Sequence, residues 1–267
     1  MNRGKRAGDR MSGQEDRRPP SRRIADELRA AIMNGDLADG DRLPSERELA
    51  AEYATARNTA REAVGILQAE GLAVAQHGRG VFVRLRRPLM RLGRERYSPQ
   101  ARAETGLSPF RIEVERQGRT PRVECRSVTT VPSPPEVAER LRLDEGQLVV
   151  RRENWYFADD EPVQVGVTYI PAVLVVDSPL GREKKLGPGS IYQRFEDLGH
   201  PIARIREEVS ARMPTPDEVK GLAMPPGVPV LDVLHTSVDD QGRPFEVTRF
   251  VMRSDLNGLD YEMPVDG

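Results

Sequence analysis

Residues 43–64 read Leu43-Pro44-Ser45-Glu46-Arg47-Glu48-Leu49-Ala50, then Ala51 to Thr55, then Ala56-Arg57-Asn58-Thr59-Ala60-Arg61-Glu62-Ala63-Val64. Ser45 and Glu48 have capping-box spacing: the Ser hydroxyl accepts from the Glu48 amide while the Glu carboxylate reaches back. Leu49, Ala50 and Tyr53 then form the inner face of a short helix. After a tight turn, Ala60, Ala63, Val64 and Leu67 fall on one face of a second helix over about 57–70. Arg57, Asn58 and Arg61 share its opposite face, and Gly71 supplies the stop.

The surroundings complete a module. Upstream, Ile24, Leu28, Ala31 and Ile32 recur at helical spacing, so a helix is expected over about 22–33, closed by Asn34-Gly35. Downstream, Leu72–Ala75 and Gly80–Val83 are β-prone runs around Gln76-His77-Gly78-Arg79, a hairpin with a basic, glycine-bearing tip. Three helices and a hairpin make a winged helix-turn-helix, whose second turn helix enters the major groove of DNA. Surface arginines on a helix are commonly just a solvated face. Here the capped helix, short turn, arginine-bearing helix and basic wing follow one another in working order, and that order favours DNA.

Bulk composition agrees. The chain has 267 residues, 37% hydrophobic and 31% charged, with a net charge of −1. Residues 1–98 carry 20 Lys and Arg against 14 Asp and Glu, and the remainder 21 against 28. A basic front and an acidic back suggest that only the front meets an anionic partner. Cys125 is the single cysteine, so no intrachain disulfide is possible and a reducing cytoplasm is expected. No apolar run approaches a membrane span, and Met1 to Pro20 lacks the apolar core of a signal peptide. Residues 1–20 read as a disordered, mildly basic tail. His77 has only His200 and His235 as companions, so no metal or other cofactor is expected.

Residues 21–84 resemble the DNA-binding domain of the GntR family of bacterial transcription regulators. The resemblance rests on Gly40-Asp41-Arg42-Leu43-Pro44-Ser45-Glu46-Arg47-Glu48-Leu49-Ala50, on Arg57-x-Thr59-x-Arg61-Glu62-Ala63, and on Gly71-Leu72 leading to Gly78-Arg79-Gly80-Val81-Phe82-Val83. It implies DNA contacts by Arg47, Arg57, Asn58, Thr59 and Arg61 and by the wing residues His77, Gly78 and Arg79. Arg57 and Arg61 suit guanine or phosphate, and Asn58 suits adenine or phosphate. Ala56 departs from the pattern, because a Ser or Thr often caps this helix; Thr55 is the available substitute.

Residues 85–105 form a basic connector without firm periodicity. From about residue 106 the pattern becomes strands with short helices. A helix over 134–141, a strand over 148–157, a turn and a return strand over 163–169 are followed by the same sentence again: a helix over 216–222, a strand over 228–238, a turn and a return strand over 244–253. Duplication at an offset of about 80 residues predicts one antiparallel sheet with pseudo-twofold symmetry and a cleft on its helical side. The fold class is α+β.

This second half, 106–263, resembles the UTRA domain of the HutC subfamily, which shares its fold with chorismate lyase. The resemblance is carried by Arg151-Arg152, Asp160-Glu161-Pro162-Val163, Thr168-Tyr169-Ile170-Pro171, Ser210 to Glu218, Gly242-Arg243-Pro244 and Arg253-Ser254-Asp255. It implies a ligand-binding domain, and Arg152, Asn154, Tyr156, Tyr169, Glu208 and Arg249 are the candidates for lining its pocket. Members that bind aminosugar phosphates place two arginines before the turn and a glutamate after it. Here those positions are Asn154, Tyr156 and Gly166, and Asn257 replaces a tyrosine. Guanidinium forks are what a phosphate wants, so a less charged or more apolar ligand is expected.

The implied protein is a dimeric regulator, most often a repressor in this family, on a palindromic operator. One alternative is a plasmid transfer or maintenance regulator without a small-molecule effector. Another is a lyase-like enzyme using Arg152, Glu207 or Glu208, for which no nucleophile–base or metal constellation speaks. The aminotransferase-type branch needs a larger domain and a Schiff-base lysine.

Overall fold

The computed structural model describes residues 18–76, 78–85, 88–93, 107–187 and 190–262. Most of the expected tail, the wing residue His77 and most of the expected connector lie outside the described residues. The chain divides into two compact units, one of residues up to Gln68 with Leu72–Leu85, the other of Ala69–Gly71 with the residues from Arg86 onward.

The first unit contains α1 (Pro20–Asn34), α2 (Glu46–Glu52), α3 (Arg57–Ala69), β1 (Ala73–Gln76) and β2 (Gly80–Val83). Helix α1 buries Ile24, Ala25, Leu28 and Ile32 and ends on Gly35 at φ 85°, the left-handed cap that glycine takes without strain. Both halves of the Ser45/Glu48 capping box are present. Leu49 of α2 and Ala60, Ala63, Val64 and Leu67 of α3 join α1 in one core. Strands β1 and β2 pair antiparallel, and the Gly40–Leu43 segment adds backbone bonds along β2. Helix α3 begins at Arg57, so Ala56 is its N-cap: the Ala56 carbonyl accepts from Thr59 and Ala60, but the side chain offers no acceptor.

The second unit contains β3 (Leu89–Leu92), α4 (Pro109–Arg116), β4 (Pro121–Pro132), α5 (Pro135–Leu141), β5 (Leu148–Ala158), β6 (Glu161–Pro171), α6 (Ala172–Val175), α7 (Pro179–Arg182), α8 (Ile191–Asp197), β7 (Ile202–Arg212), α9 (Pro216–Gly221), β8 (Val230–Asp239), β9 (Pro244–Arg253) and β10 (Asn257–Asp260). Six strands form one antiparallel sheet in the order β4-β5-β6-β9-β8-β7. Two three-stranded units therefore meet through β6 and β9, as the duplication predicted. Thr168 pairs with Thr248, 80 positions away, and their hydroxyls are 2.7 Å apart.

Two expectations need correction. The stretch expected as a basic connector without firm periodicity includes β3, which pairs parallel with β10 and carries the buried Arg91. The sheet also has no single helical side. Helix α5 contributes Val137 and Leu141 to the cluster around Val149 and Leu234, and Leu222 and Met224, just after α9, join the cluster around Trp155 and Val230 on the same face. The opposite face packs Val150 and Ile170 against α6, α7 and α8, and β3 packs with α4.

At the centre of that second face, Gly166 permits a close approach. A Cβ there would lie 2.9 Å from Phe250 Cε1 and 3.1 Å from Tyr156 Cε2. The two rings meet edge-to-face at a centroid distance of 6.1 Å, and Phe110 packs on Tyr156 at 5.0 Å.

Two outcomes are expected. Ala56→Ser supplies the missing cap acceptor and should stabilise the first unit by about 0.5–1 kcal/mol in denaturant unfolding; no gain would mean that the introduced hydroxyl cannot reach the first-turn amides. Gly166→Ala overpacks a ring cluster and should cost about 1–3 kcal/mol; an unchanged midpoint would show that the rings have room to yield.

Candidate nucleic-acid interface and ligand pocket

Helix α3 turns its small and branched residues inward, which leaves Arg57, Asn58 and Arg61 exposed and Thr59 half-buried. Arg47, on α2, is exposed as well. Among the described residues neither Arg47 nor Arg57 makes an ion pair. Arg61 differs: its Nε and Nη2 donate to Glu46 Oε1 and Oε2, both at 2.9 Å. The Arg61 hydrogen bond holds the Glu46 carboxyl below its ordinary value. The planar edge of Arg61 is thus engaged by the first residue of α2, and any anion or base approaching it would have to displace Glu46 or use the other edge. On the wing, Gly78 and Arg79 are exposed, Gly78 has φ 70°, and Arg79 lies 5.7 Å over the Phe82 ring.

The period-2 alternation of the sheet separates the six expected pocket residues. Arg152, Asn154 and Tyr156 of β5 share a face with Thr168 of β6 and with Glu246, Thr248 and Phe250 of β9. Together with Tyr192 and the 184–187 segment they line a cavity of about 620 Å³. Tyr169 and Arg249 pair with residues of the opposite parity and point to the other face. There Tyr169 packs against Val137, Leu234 and Val247. Arg249 donates to both carboxylate oxygens of Asp232 at 2.9 and 3.0 Å, and Glu208 pairs with Arg140 and Arg206. That face holds a wider trough of about 1120 Å³. Its charges are largely spent on one another: although burial opposes it, hydrogen bonds from Arg249 and Arg212 keep the Asp232 carboxyl below its usual value. The single cleft expected to collect all six residues is therefore two cavities on two faces. The smaller one gathers Arg152, Asn154 and Tyr156; the structure does not bring Tyr169, Glu208 and Arg249 to it.

Sequence reading missed Thr168, Glu246, Thr248 and Phe250 on the same wall. They follow from the even-numbered parity of β5, β6 and β9 once the register is known. From Thr248 a buried polar chain runs away from the cavity. Thr248 and Ser237 donate to Glu246, the latter at 2.5 Å, and Ser237 lies 3.1 Å from His235 Nε2. His235 Nδ1 is 2.9 Å from Glu207, which also pairs with Arg91 and accepts from Tyr261. Burial alone would raise the Glu207 carboxyl, but the His235 hydrogen bond and the Arg91 charge hold it well below the carboxylate range. His235 and Ser237 are fully buried, so the Glu207–His235–Ser237 order is a structural chain rather than an accessible catalytic triad. Among the described residues no cluster of His, Cys, Asp and Glu is arranged to hold a metal ion, and no helix is long and apolar enough to cross a membrane.

Comparison with known proteins follows the same division. Residues 20–83 match the family of bacterial regulatory proteins of gntR type, and residues 116–256 match the UTRA domain. The HTH-type transcriptional regulator Rv0792c of Mycobacterium tuberculosis is 32% identical over 92% of this chain and 86% of its own length. The HTH-type transcriptional repressor NagR of Bacillus subtilis is 29% identical over 87% of this chain and 89% of its own. A crystal structure described as a GntR-family transcriptional regulator aligns with a TM-score of 0.62 at 27% identity, covering 93% of this chain and 99% of that one. PhnF from Mycobacterium smegmatis shares the fold, with a TM-score of 0.59 at 21% identity over 91% of this chain and 100% of its own. Rv0792c, NagR and the first of these structures are named as transcriptional regulators or repressors, not as enzymes. The chain belongs to the GntR family of bacterial DNA-binding regulators, in the branch that carries a UTRA domain.

Proposed function

We propose that this regulator is a cytoplasmic homodimeric repressor that binds a palindromic operator and releases it when a small molecule occupies the 620 Å³ cavity. The DNA-contacting set is Arg47, Arg57, Asn58, Thr59, Arg61, His77, Gly78 and Arg79, within a domain over residues 21–84. The connector is shorter than residues 85–105, because β3 already belongs to the regulatory unit. The observation that carries the effector reading is the concentration of Arg152, Asn154 and Tyr156 on the wall of one cavity. Tyr169, Glu208 and Arg249 have a structural part on the other face.

A phosphosugar fits this cavity poorly. Asn154 and Tyr156 stand where a phosphate-binding relative has guanidinium forks. Gly166, in place of a glutamate, lies beneath the rings of Tyr156 and Phe250.

In vitro selection of DNA by the full chain should return a sequence with two inverted half-sites, and failure to enrich any sequence would overturn the reading. On the selected operator, Arg57→Ala and Arg61→Ala should each weaken binding by about 1–3 kcal/mol. Folding stability should change little, since an exposed ion pair such as Arg61–Glu46 adds little to it. Affinity should fall steeply with salt as phosphate-bound counterions are released; unchanged affinity in both variants would remove α3 as the reading helix.

Glucosamine 6-phosphate should neither raise the melting temperature nor release the operator. Release at micromolar concentration would show that the cavity takes phosphosugars after all.

A further inference from the structure

Two arginines of the sheet, Arg152 and Arg253, are each only 1% exposed. Burial of a guanidinium is costly unless a counter-charge and hydrogen bonds replace its water. Arg253 has both. It donates to Asp255 through Nε and Nη2 at 3.1 and 2.6 Å, meets Glu161 at 3.4 Å, and binds the carbonyls of Leu222 and Ala223.

Arg152 has the carbonyls and lacks the counter-charge. Its Nη1 donates to Leu180 O at 2.6 Å and to Glu183 O at 2.9 Å, and Nη2 reaches only the Cys125 sulfur at 3.8 Å. Among the described residues its Nε has no hydrogen-bond partner. Among the described residues no carboxylate pairs with it. Burial pushes the Cys125 thiol up, so a thiolate does not serve as the anion. Burial also pulls the Arg152 guanidinium below its ordinary value, yet arginine remains charged in proteins. The two carbonyls fix the side chain from one end, and the Nε/Nη2 edge left over is the one that matches a planar carboxylate in a two-point contact.

The rest of the wall limits what that anion is attached to. Tyr156, Tyr192 and Phe250 supply ring surfaces. Glu246, also on the wall and only 3% exposed, is a buried acceptor satisfied by Ser237 and Thr248. A second negative charge on the ligand would share the cavity with that carboxylate. Lys184 and Lys185 are exposed, so water screens them.

Resting on the effector reading above, we propose that this cavity takes an aromatic monocarboxylate, with its carboxylate on Arg152 and its ring among Tyr156, Tyr192 and Phe250. Arg152 is then a specificity-determining residue that stands two positions before the site where phosphosugar-binding relatives have their arginine pair. The ligand supplies the counter-charge that the fold omits.

The test is thermal unfolding of the full-length protein with a panel of hydroxybenzoates, cinnamates and phenylacetates at millimolar concentration. Each is paired with its neutral amide and with an aryl phosphate of the same ring. At least one carboxylate should raise the melting temperature by several degrees, with its amide and aryl phosphate inactive. Arg152→Lys keeps the charge but not the fork and should weaken that carboxylate at least tenfold by isothermal titration. Arg152→Met should abolish it, and far-UV circular dichroism checks that both variants fold. If a variant does not fold, Asn154→Leu and Tyr192→Ala provide the same readout on the wall, each expected to weaken the carboxylate at least threefold. The inference is overturned if amides stabilise as well as acids, if aryl phosphates act and carboxylates do not, or if no carboxylate shifts the melting temperature. It is also overturned if Arg152→Lys binds like the parent. A wild-type chain that binds its operator and ignores every carboxylate defeats this inference alone, whereas one that selects no DNA defeats the regulator reading.

Discussion

The pairing of β6 with β9, pinned where the hydroxyls of Thr168 and Thr248 meet at 2.7 Å, makes one sheet out of two repeated units. Everything placed on the cavity side depends on that register. Across the sheet, Arg152 lies opposite Thr168, Thr168 opposite Thr248, Thr248 opposite His235, and His235 opposite Glu207. A slip of one residue at β6–β9 would send half of this row to the other face. The row is also the most polar part of the interior. Because a buried polar group without a partner is costly, the chain of contacts from Thr248 through Glu246, Ser237 and His235 to Glu207 specifies the register as firmly as the apolar clusters around it. Its last links, Arg91 on β3 and Tyr261 just beyond β10, tie the small parallel pair to the large sheet.

Much of this is legible in the residues alone. The capping box, the inner faces of three helices and the duplicated helix–strand–turn–strand are local signals, and they stand where periodicity puts them. Strand β7 was not legible for a physical reason. Its apolar residues Ile202, Ile205 and Val209 are spaced three and four apart, as on a helix, and a bulge between Ile202 and Arg204 shifts the alternation. It is an edge strand with mostly exposed positions, so little of its sequence is constrained by burial. Strands β3 and β10 are four residues each and are held by one another, by α4 and by contacts to the large sheet; a contact spanning that much sequence leaves no short-range signature.

The candidate site shows the same boundary between local and non-local information. Residue types along β5 were sufficient to pick out Arg152, Asn154 and Tyr156 together, because they alternate on one strand. Adding Tyr169, Arg249 and Glu208 required knowing which residue of one strand faces which of the next. Tyr169 is one position from Thr168, Arg249 one from Thr248, and Glu208 one from Glu207, and each single step crosses the sheet. The near miss is informative: on the far face Arg249 and Arg212 share Asp232, so guanidinium groups there are neutralised by the protein itself.

That contrast separates two ways of presenting an arginine. One held by a carboxylate, as Arg61 is by Glu46, is well oriented but nearly neutral as a pair, and an incoming anion must compete with the internal one. One held by backbone carbonyls, as Arg152 is by Leu180 and Glu183, is equally oriented and keeps its full charge. On α2 and α3, Arg47 and Arg57 make no ion pair among the described residues and would offer an anion their full charge, while Arg61 would contribute only the difference between a new partner and Glu46. In the sheet the order is reversed, since the buried Arg152 guanidinium, without a counter-ion among the described residues, lies on the wall of a cavity where solvent screening is weak. A charge left unpaired in such surroundings is tolerated at a real cost in stability, which the arrival of an anion removes. Binding of an anion there would consequently be coupled to the stability of the segments that hold Arg152, namely α7 and the stretch after it, without any contact to DNA.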